Sequence, residues 1–523
     1  MSKPLSLVKK HILSKHFPVF EVVALVLFAL FFKMVSKVNF MQNDDWNRTT
    51  SVLRFMSGDV SLIQVTATTF YVQGMLGVIF ASIFGIGKLP FLTLIFSVLD
   101  FYVFARILHD HFDFGKLKSI IFSLIFFFTP LHIYSSIGFM TENYTMLFML
   151  LSLYFLLQHE KDRKPKSFIF FNLSGVLSFF TKQNGIIFNV AYIPYLIIKK
   201  RYKEALVQIA VVGSLFAYYF FLFPQTEEMQ DKGFIYKNFF DWKYAYSLIY
   251  GILLVTVSFV LPFVFGVVLS VFSENKKKSV NIFLMLAFSG ILYFLLNKYF
   301  APGKISWEEY PYFENTFERT GFFPRSILGT KYYFKWNYDI YRYWDLASKI
   351  LLAMLIPCLF VLRKKVVNIY SISIVGYIVL MIFTQVFFDR YLLPLIPMFI
   401  LFLLYIMPNN RKRFLKMLSC VVFLFFTAFL SMQMANDFVV SNNYVWGRSE
   451  SLVKEGVSPE NIRATMAWQK IYGLSEEPEF FFSFSSPEVE PNYLEKYYLF
   501  EEKTLNFPGS IFVDPMIFLY RKK

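Results

Sequence analysis

Residues 18–48 read PVFEVVALVLFALFFKMVSKVNFMQNDDWNR and join the first hydrophobic segment of the chain to two adjacent carboxylates, Asp44 and Asp45. The hydrophobic run, from about Pro18 to Val35, is long enough to stay in a membrane as an anchor and lacks the small-residue pattern of a cleaved signal. A tandem acid after such a segment can be an ordinary solvated loop. It becomes a candidate site only if other chemical groups fold against it.

The composition is that of a membrane protein. Of the 523 residues, 56% are hydrophobic and only 17% are charged, whereas soluble domains carry about 25% charged residues. The net charge of +16 does not indicate nucleic-acid binding, because the basic residues form short runs between hydrophobic segments, a pattern that orients helices in a bilayer. Cys358 and Cys420 each lie inside a hydrophobic segment and predict neither a disulfide nor a metal site.

The distribution of basic residues predicts the orientation of the chain. Lysines precede the first hydrophobic segment, so we expect a cytoplasmic N-terminus and place Asp44 and Asp45 on the outer face. The hydrophobic stretch from about Thr69 to Gly85 is near the lower limit for a membrane span. If it spans, five later basic loops fall outside, and if it lies along the interface, all five fall inside. We therefore predict a surface or re-entrant helix there. The five loops are Lys161–Lys166, Lys199–Lys203, Lys276–Lys278, Arg363–Lys365 and Arg411–Lys416.

The hydrophobic segments predict an all-α polytopic membrane protein, with about thirteen transmembrane helices in a domain of residues 1–434. In this scheme the first outer loop, residues 37–88, contains juxtamembrane helices, and a large outer loop occupies residues 298–348. Residues 435–523 are mixed and charged, and prolines interrupt them. We expect them to form an outer-face segment or a small soluble domain.

Three further ionisable residues fall on the predicted outer face, each at the end of a helix. Glu142 follows Thr141 at the start of an apolar helix, where an acid in the first turn is the ordinary explanation. Lys182 lies in a very short turn, against the usual inward bias of cations, and should therefore have a partner. Arg390 directly precedes an apolar helix, where an interfacial anchor is an alternative. Ionisable groups near membrane depth are costly and tend to be functional, so their convergence on one face with the acidic pair indicates a site.

Carboxylates beside a lysine and an arginine at a membrane surface suit a reaction on a lipid-linked phosphate. A carboxylate can take the proton of an attacking hydroxyl, and a cation can stabilise the departing phosphate. A transporter or flippase for a polar lipid or glycan is the alternative, but it requires polar residues at mid-helix depth, where Asp100 is the visible exception. A membrane scaffold would not need these groups. His132 lies near the set but is alone, and we expect a packed residue.

The order of these motifs resembles the membrane glycosyltransferases of the GT-C class, in particular the protein O-mannosyltransferases and the lipid A aminoarabinose transferase. Those enzymes have an acidic pair in the first outer loop, juxtamembrane helices, an acid in the second outer loop and a later Arg-Tyr-Leu-Leu-Pro segment. This chain departs from the pattern with Asp-Asp for Asp-Glu and with Glu for Asp in the second loop, and no eukaryotic accessory domain is evident. Its corresponding elements are Asp44-Asp45, the Thr69–Gly85 helix, Pro130 followed by Glu142, and Arg390-Tyr391-Leu392-Leu393-Pro394.

The resemblance implies a GT-C bundle that transfers a sugar from a polyprenyl-phosphate donor to a hydroxyl acceptor at the outer face, with inversion. It implies partners of three kinds, the lipid-phosphate donor, membrane lipid and a hydroxyl acceptor, with no nucleic acid. The scheme requires no cofactor and no metal, and the composition favours a prokaryotic plasma membrane. The implied roles are Asp44 as general base, Asp45 as a residue that positions Asp44 or the acceptor, Glu142 as a second acid shaping the acceptor or sugar site, and Lys182 and Arg390 as ligands of the donor phosphate.

Overall fold

The structure is a computed structural model, and much of the predicted large outer loop lies outside the residues it describes. Those residues are 18–42, 44–227, 229, 240, 242–274, 279–300, 312–313, 339–383, 387–408, 413–484, 486–487, 491–506 and 516–523.

Helices dominate the described part of the chain up to residue 454, in agreement with the predicted helical bundle. They are α1 (Val19–Val35), α2 (Asp45–Met56), α3 (Tyr71–Phe84), α4 (Leu89–Phe112), α5 (Lys116–Phe127), α6 (Pro130–Ser135), α7 (Glu142–Asp162), α8 (Pro165–Phe179), α9 (Ile187–Ile198), α10 (Tyr202–Phe221), α11 (Trp242–Phe259), α12 (Leu261–Glu274), α13 (Ser279–Phe300), α14 (Asp339–Val361), α15 (Arg363–Val366), α16 (Ile369–Ile382), α17 (Leu395–Ile406) and α18 (Arg413–Lys454). Two short strands, β1 (Tyr312–Phe313) and β2 (Phe387–Phe388), pair in parallel.

Several of these helices have the length and apolar composition of membrane spans. Within the described residues, four helices are long and apolar enough to span a membrane. Helices α11 and α12, which meet at a bend of 90°, make a fifth if together they form one broken span. Further apolar helices have only 10–17 residues. The chain is thus a polytopic membrane protein, and the count of about thirteen spans stays a prediction. The four helices are Ile86–Phe112, Tyr202–Phe221, Tyr343–Val361 and Arg413–Lys454.

The first loop, residues 37–88, contains two helices that pack on each other. α3 has 14 residues, so at about 1.5 Å per residue it is about 21 Å long and shorter than the ~30 Å hydrocarbon core. Its glycines allow the close approach of α2, since a Cβ on Gly77 would lie 2.8 Å from the Cγ2 of Val52. The helix expected at Thr69–Gly85 is therefore present, and its position at the membrane surface stays a prediction.

A proline shapes the segment that leads to α7. Helix α5 ends at Phe127, Thr129 is extended with φ −66° and ψ 141°, and α6 begins with Pro130. The residue before a proline avoids the helical conformation, whereas proline itself is favoured at the first helical position. The chain then turns through residues 136–141 before α7 begins at Glu142. This turn, called here loop 136–141, faces the first loop.

The C-terminal part combines a long helix with a small sheet. Helix α18 has 42 residues, and the domain boundary predicted at residue 434 falls within it. A four-stranded sheet follows in the order β3-β4-β6-β5, parallel between β3 and β4 and antiparallel elsewhere. The sequence interpretation did not include this sheet. Its elements are β3 (Ile462–Arg463), β4 (Phe480–Ser483), β5 (Tyr497–Thr504) and β6 (Met516–Lys522), with α19 (Met466–Tyr472) and α20 (Tyr493–Lys496) between them.

One apolar core joins the helices to the C-terminal sheet. It includes fully buried aromatic residues of α4 and α5, such as Phe101 and Phe126, and Phe482 of β4. Helix α19 packs on α2, and the ring of its buried Trp468 lies 5.2 Å from that of Trp446 in α18. The C-terminal segment therefore rests on the helix that starts with the acidic pair.

Candidate active site

The acidic pair lies at the start of α2. Asp44 immediately precedes the helix and Asp45 is its first residue, where a carboxylate is favoured by the helix dipole. The two side chains have different surroundings. The side chain of Asp44 is 27% exposed, whereas Asp45 is only 4% exposed. Asp44 is therefore the member of the pair that an external substrate can reach.

Asp45 ties the first loop to loop 136–141. Its Oδ2 accepts hydrogen bonds from the backbone N–H of Phe139 at 2.8 Å and of Gln42 at 3.2 Å. The Gln42 side chain in turn donates to the carbonyl of Tyr134 at 3.0 Å. A Cβ on Gly138 would overlap Asp45 Oδ2 and the Gln42 side chain, so only glycine permits this approach. Asp45 thus holds the local geometry on which Asp44 depends.

The protonation of Asp45 is set by its burial. Burial raises the pKa of this carboxyl to about 7, against the attraction of Arg48 and the two backbone hydrogen bonds, which lower it. The Arg48 Nη1 atom lies 4.0 Å from Asp45 Oδ1. Asp45 therefore exchanges its proton near neutral pH.

Asp44 contacts two buried arginines. The Nη2 atom of Arg390 donates to Asp44 Oδ2 at 2.8 Å, and the Nη2 atom of Arg48 lies 3.7 Å from the same oxygen. Arg390 belongs to the 3₁₀ turn Asp389–Leu392 that leads into α17. Because Asp44 and Arg390 are 346 residues apart, this ion pair joins the first loop to the far end of the helical domain.

Glu142 receives two cations on one oxygen. Its Oε1 lies 3.2 Å from the Nζ of Lys182 and 3.3 Å from the Nε of Arg390. Lys182 lies in the turn after α8, and its ammonium group sits 4.1 Å from the centre of the Tyr391 ring, a cation–π contact. The side chains of Glu142 and Arg390 are buried, and that of Lys182 is 11% exposed. The partner expected for Lys182 is thus Glu142.

The structure brings together all five side chains that the sequence singled out. Arg48 was not among them, although it lies four residues after Asp44, on the same face of a helix. Treating residues 45–56 as an amphipathic helix would have identified it. We call these six residues the site cluster: Asp44, Asp45, Arg48, Glu142, Lys182 and Arg390.

A buried polar network supports the start of α7 next to Glu142. The Asn143 amide donates to the hydroxyls of Ser97 in α4 and of Ser136, the latter at 2.9 Å. One turn further along α4, Asp100 Oδ2 lies 3.3 Å from the Nε2 of His132, and both side chains are fully buried. The expectation that His132 stands alone is wrong, because the turn at the start of α6 directs it towards α4.

The site cluster has groups that a glycosyl transfer from a lipid-linked phosphate can use. Two cations, Lys182 and Arg390, converge on one point and can bind an anion there. Asp44 is the accessible carboxylate and can accept a proton. Within the described part of the chain, no three or more His, Cys, Asp or Glu side chains are grouped to hold a metal ion.

Comparison with known proteins shows that part of the chain is similar to a known family. Residues 69–224 match the family model described as dolichyl-phosphate-mannose-protein mannosyltransferase. No curated protein matches the chain significantly. Two solved structures of ArnT from Cupriavidus metallidurans, one apo and one bound to undecaprenyl phosphate, align over 96% of this chain and 97% of theirs. Their identities are 11% and 12%, each with a TM-score of 0.35. Over residues 69–224, which include Glu142 and Lys182, the chain is therefore similar to the dolichyl-phosphate-mannose-protein mannosyltransferases, and the resemblance predicted from the motifs is confirmed there.

Proposed function

We propose that this protein transfers one sugar from a polyprenyl-phosphate-linked donor to a hydroxyl acceptor at the outer membrane face. One observation carries the proposal: a partly exposed carboxylate, Asp44, contacts Arg390, which shares the Glu142 carboxylate with Lys182. A base and two phosphate-binding cations therefore lie side by side. The match of residues 69–224 to a family of sugar-transferring enzymes supports the same reaction class.

Asp44 acts as the general base. It takes the proton of the acceptor hydroxyl while the hydroxyl oxygen attacks the anomeric carbon of the sugar. The bond between that carbon and the phosphate oxygen breaks, and its electron pair stays on the phosphate. The proton ends on Asp44. Because there is a single displacement at the anomeric carbon, the configuration inverts.

Lys182 and Arg390 bind the donor phosphate and stabilise the negative charge that develops on it. Arg390 offers a planar fork of donors and Lys182 a compact point charge, so the two are not interchangeable. Asp45 acts through its neighbours, because it holds the backbone of loop 136–141 and faces Arg48 rather than solvent. Glu142 is the second acid of the site.

The orientation of the site follows from the charge pattern of the chain. With the N-terminus in the cytoplasm and Thr69–Gly85 at the interface, the five basic loops face inwards. The site cluster then faces outwards, in a prokaryotic plasma membrane. The domain of residues 1–434 carries the chemistry, and residues 435–523 form an outer-face segment whose helix α19 packs on α2.

The experiment is an incubation of the purified protein with a panel of polyprenyl-phosphate sugars and a membrane extract as the source of acceptor. Mass spectrometry should show consumption of one donor and release of polyprenyl phosphate. A parallel incubation with the Asp44→Asn variant should leave every donor intact. If the wild-type protein consumes none of the donors, or if it moves them across vesicle membranes unchanged, the transferase is excluded in favour of an inert or transporting protein.

A further inference from the structure

Lys182 and Arg390, the two cations proposed to bind the donor phosphate, already pair with a carboxylate of the protein itself. Lys182 Nζ and Arg390 Nε lie 3.2 and 3.3 Å from the same atom, Glu142 Oε1. Two cations that lie within ion-pairing distance of one oxygen define the place that a phosphate oxygen would take. In the structure, that place is occupied by a carboxylate oxygen.

At a pH above about 7, where the Asp45 carboxyl is ionised, the charges of the site cluster leave no surplus for a further anion. Asp44, Asp45 and Glu142 supply three acidic groups, and Arg48, Lys182 and Arg390 supply three cations. A phosphate diester adds one negative charge. Because five of the six side chains are almost completely buried, water screens their interactions weakly and an uncompensated charge is costly. A bound phosphate must therefore take its cations from one of the three carboxylates.

The geometry distinguishes between the three acids. Asp44 also lies near Arg48 and so keeps a cation if Arg390 turns to the donor. Asp45 is held by the backbone of loop 136–141. Glu142 is the acid that contacts both Lys182 and Arg390. Its other oxygen, Oε2, lies 3.5 Å from the hydroxyl of Thr141, which offers only a weak hold.

We propose that Glu142 is the internal counter-ion of the phosphate site: its carboxylate takes the place of a phosphate oxygen between Lys182 and Arg390 and gives up both cations when the donor's phosphate diester binds. This inference rests on the proposed function. It gives Glu142 a role in donor binding in place of a role in the acceptor or sugar site.

A counter-ion of this kind has a benefit and a cost. In the absence of donor, it keeps two buried cations paired and correctly oriented, which avoids the penalty of isolated buried charges. When donor arrives, it competes with the phosphate. Removing its charge should therefore strengthen phosphate binding, whereas removing an ordinary substrate-binding acid should weaken substrate use.

The test is direct binding of undecaprenyl phosphate to the full-length protein in nanodiscs, measured for four forms at about pH 8, where Asp45 is ionised. Glu142→Gln should bind about tenfold more tightly than wild type, which corresponds to about 1.4 kcal/mol. Glu142→Asp keeps the charge but draws it back, and should bind with an intermediate affinity. Asp45→Asn is the matched control, since it alters an acid of the same cluster that does not touch the phosphate ligands, and its effect should be much smaller.

The outcomes separate this inference from the proposed function. If wild-type protein does not bind undecaprenyl phosphate, the proposed function itself fails. If wild type binds and Glu142→Gln binds equally or less tightly, only the counter-ion role is overturned. If Asp45→Asn tightens binding as much as Glu142→Gln, the effect is general charge reduction and the placement of Glu142 is irrelevant. Thermal unfolding of each variant shows that it is folded, and Glu142→Asp decides the matter if the glutamine variant is not.

Discussion

Helix α7 carries a cluster of ion pairs at each end, and the two clusters are built differently. Glu142 begins the helix inside the site cluster, and Glu160 lies 18 residues later, about 27 Å away along the axis. Glu160 accepts a hydrogen bond from Tyr192 at 2.6 Å and pairs with Arg163 and Arg201. His159 contacts Glu204 at 3.1 Å. We call His159, Glu160, Arg163, Tyr192, Arg201 and Glu204 the Glu160 cluster.

The clusters differ in the distance along the chain between partners and in their access to water. In the Glu160 cluster, Arg163 lies three residues from Glu160 and Arg201 lies 41 residues from it, and the side chain of Glu204 is 38% exposed. In the site cluster, by contrast, Asp44 meets Arg390 across 346 residues, and most side chains are buried. Partly exposed pairs between neighbouring segments fasten helix ends at little cost. Buried pairs between distant segments carry a desolvation penalty, and such costly pairs are expected where they serve a function.

The replacement of Asp44 by Asn should break the site cluster with the largest effect on activity. A general base contributes about 10²–10⁴-fold, so we expect the rate of sugar transfer to fall about 10³-fold while undecaprenyl phosphate still binds. Initial rates of donor consumption measure this loss. Glu160→Gln is the matched control at the other end of α7 and should keep the wild-type rate. An Asp44→Asn protein with near-normal turnover would remove Asp44 from the role of base.

The replacement of Arg390 by Ala should have the next largest effect. Loss of one preorganised donor to a developing negative charge costs about 10²–10³-fold, and we expect a fall of about 10²-fold in kcat/KM for the donor. Arg201→Ala, which removes an arginine from the Glu160 cluster, should leave that value unchanged. Equal donor dependence in the Arg390→Ala and wild-type proteins would reduce Arg390 to an interfacial anchor.

The buried carboxyl of Asp45 should make stability depend on pH in a definite direction. Its pKa is raised from 3.8 to about 7 in the folded protein. Between these values the folded state binds more protons than the unfolded state, so stability falls as pH rises from about 4 to about 7. We expect a decrease on the order of 3 kcal/mol, because each pKa unit corresponds to about 1.4 kcal/mol. Thermal unfolding in detergent should show this decline for wild type and a flatter profile for Asp45→Asn. If the stability of the wild-type and Asp45→Asn proteins changed with pH in parallel, the pH dependence would not come from Asp45.

The smallest effect is expected in the Glu160 cluster. Glu160→Gln removes a charge partner of Arg163 and Arg201 but keeps the size of the side chain. Hydrogen bonds to charged groups contribute about 1.5–3 kcal/mol, and partial exposure reduces this, so we expect a loss of about 1 kcal/mol in the free energy of unfolding. The comparison between clusters would fail if this variant lost sugar transfer while its unfolding temperature stayed unchanged.

The sequence was sufficient to select these residues because ionisable residues at the predicted outer ends of the helices are few. Counting basic loops placed Asp44, Glu142, Lys182 and Arg390 on one face, and the structure shows them in contact. Which cation pairs with which acid was beyond such counting. Arg390 contacts both Asp44 and Glu142, an arrangement that depends on how three distant turns meet. Side-chain pairing of this kind is set by tertiary packing and has no local signal.

Other features were missed for identifiable physical reasons. The pairing of His132 with Asp100 depends on the turn at Pro130, which reorients a short helix. Helix α18 continues past residue 434 although its sequence becomes polar, because residues such as Asp437 and Asn442 are buried in contacts with the rest of the protein. Strands β3 and β4 of the C-terminal sheet have only two and four residues, and β4 pairs with β6 across a long intervening segment, so neither length nor spacing indicated this pairing.

The hydrogen bonds between α18 and the first loop have a consequence for the biosynthesis of the protein. The Asn443 side chain accepts a hydrogen bond from the N–H of Asn39 at 3.0 Å and donates one to the carbonyl of Lys37 at 2.8 Å. Asn39 leaves the ribosome early, and its hydrogen-bond partner Asn443 is translated 404 residues later. At a translation rate of about 5–20 residues per second, Asn443 is synthesised roughly 20–80 s after the first loop. Arg390 follows the acidic pair after almost as long an interval. A truncated nascent chain therefore carries Asp44 without its arginine from the 3₁₀ turn, and only a nearly full-length translation product has an assembled site.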